Sequence, residues 1–294
     1  MNDVSTILKR LDIAGAGEMT PVLLNKGGNL VVHLAPHPWV ARLTPASSAS
    51  ELEAARCRAR LELAVAAHLQ ASGVQALGLA EGIEAGPYEL DGNVITLWRY
   101  VPETKLERPS PQEAYARLLD LAEALRRCPA SLPALGVWER AAQSAASLAK
   151  QSDPRIQALL KQFRAIDEEM RAEDRQLQPC HGDAHTRNLL ASPEGWLWID
   201  FEDASLMPPY WDIASYVTNL AMFLGLEEPY FSYMRHCAAS KGDDEAFSFA
   251  VTARALLSTL GNLDYALQGR GDLPFAMEQL NRAADFIAIV GSQA

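Results

Sequence analysis

Residues 178–203 read QPCHGDAHTRNLLASPEGWLWIDFED, and three polar residues in this stretch organise the rest of the chain around them. Asp183 precedes Asn188 by five positions. After Asn188, the apolar pair Leu189-Leu190 and the run Trp196–Ile199 flank Ser192-Pro193-Glu194-Gly195. Pro and Gly at those positions suit a type I turn, so the spacing predicts a short hairpin. Asn188 opens that hairpin and Asp200 closes it, bringing an amide and a carboxylate to one mouth, where hard oxygen ligands suit magnesium. Phosphoryl transfer calls for this set: one carboxylate to orient and deprotonate an attacking hydroxyl, and an amide and a second carboxylate to hold magnesium on a triphosphate.

N-terminal to this stretch the texture is β-rich. Val22–Leu24, Leu30–Leu34 and Trp39–Leu43 are short apolar or β-branched runs, separated by Asn25-Lys26-Gly27-Gly28 and by Ala35-Pro36-His37-Pro38, which are turn chemistry. One long helix is predicted over Ser47–Gly73: serines offer an N-cap, Ala, Leu, Glu and Arg favour helix, and Gly73 stops it. Pro87–Leu90 and Val94–Tyr100, joined through Asp91-Gly92-Asn93, read as a further hairpin, and the sheet ends at Val101-Pro102. From about Pro111 the chain turns to long Ala- and Leu-rich helical stretches, including 111–128, 139–151 and 154–173. The expected architecture is α+β in two lobes. Residues 1–101 form a small β-rich lobe with one main helix, and residues 102–294 a larger, mostly helical one.

Composition narrows the function classes. With 49% hydrophobic and 21% charged residues the chain reads as globular rather than disordered. No apolar stretch reaches the roughly 18 residues of a bilayer span, and the N-terminus lacks the pattern of a secretory signal, so no membrane role and a cytoplasmic location are expected. Cys57, Cys128, Cys180 and Cys237 are scattered as reduced thiols would be. A net charge of −11 without a Lys/Arg cluster argues against nucleic acid as a partner. From Asp200 to Glu245, nine carboxylates face only Arg235 and Lys241, a field that would draw a cationic small molecule.

HGDAHTRN, followed by IDFED and WDIA, resembles the aminoglycoside phosphotransferase and choline kinase family, relatives of protein kinases, whose own Asp and Asn stand at the same interval. The resemblance implies a two-lobed protein-kinase-like fold and an ATP- and magnesium-dependent transfer to a hydroxyl of a small, aminoglycoside-like or choline-like alcohol. It implies Asp183 as catalytic base, Asn188 and Asp200 as metal ligands, and His181 as a residue shaping the catalytic loop. His185 is expected either near the transferred phosphate or acceptor, or bonded to the loop backbone, and Asp212 as a structural brace. On the nucleotide side the turn with Gly27, Gly28 and Asn29 corresponds to the covering hairpin. Arg42 stands where most kinases carry a lysine, with Glu62 as its partner and Glu51 or Glu53 as alternatives. Trp98 to Val101, including Tyr100, corresponds to the adenine-binding hinge. Glu202 and Asp203 are expected to face the acceptor.

Two rivals stand beside this reading. His181, Asp183 and His185 also form an H-x-D-x-H string of the kind that ligates zinc or iron in metallohydrolases. A non-catalytic kinase-like module that only binds nucleotide is the other, resting on Arg42 and on a glycine turn without G-x-G-x-x-G.

Overall fold

The computed structural model describes residues 7–8, 18–26, 29–102 and 104–292. Its strands are β1 (Thr20–Lys26), β2 (Leu30–Ala35), β3 (Trp39–Pro45), β4 (Tyr88–Leu90), β5 (Asn93–Arg99), β6 (Gln178–Cys180), β7 (Leu189–Ser192), β8 (Gly195–Trp198) and β9 (Ser205–Met207). Its helices are α1 (Ala49–Ala71), α2 (Pro111–Arg126), α3 (Gly136–Leu148), α4 (Pro154–Met170), α5 (Trp211–Leu224), α6 (Pro229–Ala239), α7 (Asp244–Leu267) and α8 (Leu273–Gly291). Packing divides the chain into two compact units. One holds the chain up to Glu107 with 128–130 and 187–202; the other holds 108–127, 131–186 and the chain from Asp203 on.

In the first unit five antiparallel strands pair in the order β1-β2-β3-β5-β4. Asp91 and Gly92 link β4 to β5 with φ of 49° and 72°, the positive values that a two-residue hairpin turn of matching twist demands. Side chains alternate across the sheet. Val32, Leu34, Ala41, Leu43, Ile95 and Leu97 share one buried cluster, while Val94 packs on the other face against Ala55 and Ala59 of α1. Covered on both faces, β5 is buried from Val94 to Trp98. The register sets Arg42 opposite Val31 and Thr96, on the face that α1 covers.

The expected hairpin over 189–199 forms as β7 and β8, paired from Leu189↔Trp198 to Ser192↔Gly195. Ser192 Oγ closes its turn by accepting from Glu194 N at 3.1 Å and donating to Gly195 O at 2.7 Å. Backbone bonds from Trp198 N to Gln75 O (2.9 Å) and Leu77 N to Trp198 O (2.8 Å) fix it to the first unit.

The second unit is mostly helical. α2 opens with a reciprocal capping box between Ser110 and Glu113, and α4 with Asp153 capping ahead of Pro154. Trp138 of α3 stacks on Phe163 of α4 and meets Trp211 of α5 edge to face at 6.3 Å. The apolar α7 is buried along most of its length and packs against α3, α5 and α8. The antiparallel pair β6–β9 is not visible in the sequence, since three residues are too few to show a period. Among the described residues no helix is long and apolar enough to cross a membrane.

Candidate active site

Arg42 is the centre of the group in the first unit. Its Nη1 donates to Glu62 Oε1 at 2.5 Å, and its Nη2 meets Glu202 Oε2 at 2.7 Å and Asp200 Oδ1 at 3.2 Å. The Asn29 amide, turned as its neighbours require, accepts from Arg42 Nε at 2.9 Å and donates to Thr44 Oγ1 at 2.9 Å. Burial works against the charge on Arg42, but Glu62, Glu202 and Asp200 outweigh it and raise its pKa. Burial pushes Glu62 up to about 8 against the pull of Arg42, with Asp200 and Glu202 adding to the rise. Three acids on one base leave surplus negative charge of the kind that a divalent cation offsets.

These groups line a cavity of about 540 Å³, within the range of small-ligand sites. Val31, Val40, Leu77, Trp98, Leu190 and Ile199 supply apolar wall, and Asn188, Asp200 and Arg187 supply polar groups. Ile199 N donates to Asn188 O at 3.1 Å, so the hairpin holds Asn188 beside the residue that precedes Asp200. Asp200 has φ 69°, a left-handed conformation that Asp tolerates better than most residues. Its Oδ1 is buried and, among the described residues, is held by the 3.2 Å ion pair with Arg42 Nη2 but by no hydrogen bond, although the side chain is 39% exposed. A buried carboxylate oxygen that makes no hydrogen bond, in a cavity with an amide side chain, is a donor set that a hard cation fits.

The second unit builds the other group on the loop after β6. Asp212, in the first turn of α5, accepts from His181 N at 2.8 Å and Gly182 N at 3.0 Å, and Trp211 Nε1 donates to Gly182 O at 2.8 Å. Burial pushes Asp212 up while His181 and the two amides pull it back. Gly182 has φ +87°, and a Cβ there would lie 2.1 Å from Asp203 O. Fully buried His181 accepts the Asp183 N–H at Nδ1 (3.3 Å). The Asp183 carboxylate takes Arg254 Nη2 on Oδ1 and lies 3.4 Å from His185 Nε2 on Oδ2. Burial opposes its charge, but Arg254 first, then His185 and His181, hold it well below the usual carboxylate range.

The first group therefore gathers Asn29, Arg42, Glu62, Trp98, Asn188, Asp200 and Glu202, and the second His181, Asp183 and His185. Glu62 is the partner of Arg42: Glu51 accepts from Ser47 N and Glu53 pairs with Arg56. Tyr100 is engaged elsewhere, its ring stacked on His33 at 3.7 Å and its N–H on Pro38 O at 2.8 Å. Gly27 and Gly28 lie outside the described residues. Glu202 is held by Arg42, and Asp203 by Arg140. Among the described residues no three His, Cys, Asp or Glu side chains are placed to hold a metal together, so the H-x-D-x-H string gains no geometric support. Sequence reading missed Arg254. Its signal was a lone arginine inside the apolar run SFAVTARALL, because such a residue is seldom buried unless paired.

An antiparallel N-terminal sheet and a mostly helical remainder make a kinase-like fold. Solved structures share it. The chain is similar to choline kinase LicA from Streptococcus pneumoniae, at 15% identity and a TM-score of 0.64 over 97% of this chain and 96% of that one, a protein also solved with AMP. It is similar to APH(2")-IIia solved with GDP and kanamycin, at 17% identity and a TM-score of 0.61 over 96% and 97%. A choline/ethanolamine kinase family protein from Mesorhizobium loti matches at 17% identity and a TM-score of 0.58 over 95% and 89%. Residues 27–230 match the model of the phosphotransferase enzyme family, APH, and the chain belongs to that family. It is a phosphotransferase with an alcohol group as acceptor. No curated protein matches the sequence.

Proposed function

We propose that the chain transfers the terminal phosphoryl group of ATP to a hydroxyl of a small molecule, with magnesium as cofactor. The observation that carries this reading is Asp200 Oδ1, ion-paired with Arg42 at 3.2 Å but buried without a hydrogen bond among the described residues, in the cavity of the first unit. Asn188 and Asp200 would hold the magnesium ion, which neutralises charge on the phosphates when bound. Arg42, oriented by Glu62, would give Nη2 to phosphate oxygens that compete with Glu202 and Asp200 for it; its planar fork makes it a workable substitute for lysine. Asp183 orients the acceptor hydroxyl and takes its proton as the new oxygen–phosphorus bond forms and the bond from the γ-phosphorus to the β–γ bridging oxygen breaks, releasing ADP. The transition state is loose, so a carboxylate of low basicity suffices and positioning carries most of the rate. Relatives of the fold solved with AMP and with GDP support a nucleotide in this role, and an ATP donor suits work in the cytoplasm.

Thermal unfolding checks the nucleotide half. Saturating ATP with magnesium is expected to raise Tm by roughly 5 to 10 °C, and Asp200→Asn to lose the magnesium-dependent part of that rise. An unchanged Tm with ATP and magnesium, together with a rise on zinc alone, would overturn the proposal.

A further inference from the structure

Arg254 does more than the proposed reaction requires of it. The residue is 6% exposed and sits inside α7, with apolar neighbours along the helix. Nη2 serves Asp183, whereas Nη1 of the same guanidinium is buried and has no hydrogen-bond partner among the described residues. A buried charged donor left open is costly, and an incoming anionic group would satisfy it. The pair has an accessible end, because the Asp183 side chain is 24% exposed against 7% for Arg254. On α5, one turn past Asp212, Ser215 Oγ is also buried with no hydrogen-bond partner among the described residues.

The acids point the same way. An ammonium group on the acceptor would need an open carboxylate. Asp203 is paired with Arg140, Asp212 is spent on two loop amides, and Glu202 is held by Arg42. These three carboxylates of the acidic segment are thus already paired, which weakens the ground for a cationic acceptor.

Resting on the kinase reading above, we propose that Arg254 recognises a carboxylate on the acceptor, so that the substrate is a hydroxy acid rather than an amino alcohol. The hydroxyl meets Asp183 and the carboxylate meets the guanidinium, which sets the two groups a few carbon atoms apart. The acceptor's carboxylate competes with Asp183 for Arg254 and in doing so frees an Asp183 oxygen to receive the hydroxyl.

Acceptor-dependent ATP consumption, measured with glycerate, 3-hydroxybutyrate, gluconate, glycerol and ethanolamine, tests this together with thermal shifts by the same compounds without nucleotide. Hydroxy acids are expected to exceed their neutral and amino counterparts by about 30-fold in kcat/KM, the discrimination that one charged hydrogen bond supplies. Arg254→Gln is expected to abolish that preference and the hydroxy-acid shift, and Arg254→Lys to restore part of both. A purely structural role would lower turnover of every acceptor alike and leave the ratio unchanged, which would overturn the proposal. Equal or larger shifts with glycerol or ethanolamine would also overturn it. A hydroxy-acid shift that depends on Arg254 but brings no ATP consumption would leave the recognition standing and count against the kinase reading instead.

Discussion

Gly182 shows how a single backbone position constrains the loop after β6. Its φ of +87° costs any L side chain about 1 to 2 kcal/mol, and a Cβ would run into Asp203 O, a backbone atom that cannot rotate away. Gly182→Ala is therefore expected to lower stability by roughly 2 to 4 kcal/mol, read as a fall of about 5 to 10 °C in Tm. A change under 2 °C would show that the loop adapts. Asp183, Asn188 and Asp200 were legible in the sequence because their chemistry is carried by residue type and spacing. Arg254 was not, because its partner lies 71 positions away and no local period links the two.

At the scale of elements, the hairpin β7–β8 was readable from its turn residues, and its register explains why Asn188 and Asp200 share one end. The long helix α1 was readable from its cap and composition, and the Glu62 pairing follows once β3 faces it. The β6–β9 pair, three residues per strand, carried too little pattern to be seen. Helix α5 has an element-level role: its first turn presents Asp212 and Trp211 to the loop, three hydrogen bonds in all, so a helix end braces the loop in addition to the loop's own glycine. Asp212→Asn turns an amide N–H₂ toward two backbone donors and leaves one of them unmatched. The expected result is a loss of about 1 to 3 kcal/mol in stability and a lower kcat with nucleotide affinity unchanged. Wild-type kcat in this variant would show that the brace is dispensable.

Over the whole molecule, the two packing units hold different parts of the proposed chemistry. Arg42, Glu62, Asn188 and Asp200 belong to one, and Asp183, Asp212 and Arg254 to the other, while only five positions of chain lead from Asp183 to Asn188. In a chain of net charge −11, arginine stands at the carboxylates of the candidate site, with Arg42, Arg140 and Arg254 each taking one or more of them. This division of labour makes binding and transfer separable by mutation. The most direct measurement is phosphorus NMR of product formation from ATP by wild type and Asp183→Asn, on an acceptor that the panel identifies, alongside calorimetric ATP affinity. The expected result is a phosphomonoester signal in wild type, a rate at least about 100-fold lower in Asp183→Asn, and ATP affinity within about 3-fold in both. Product formation by Asp183→Asn at the wild-type rate would contradict the account.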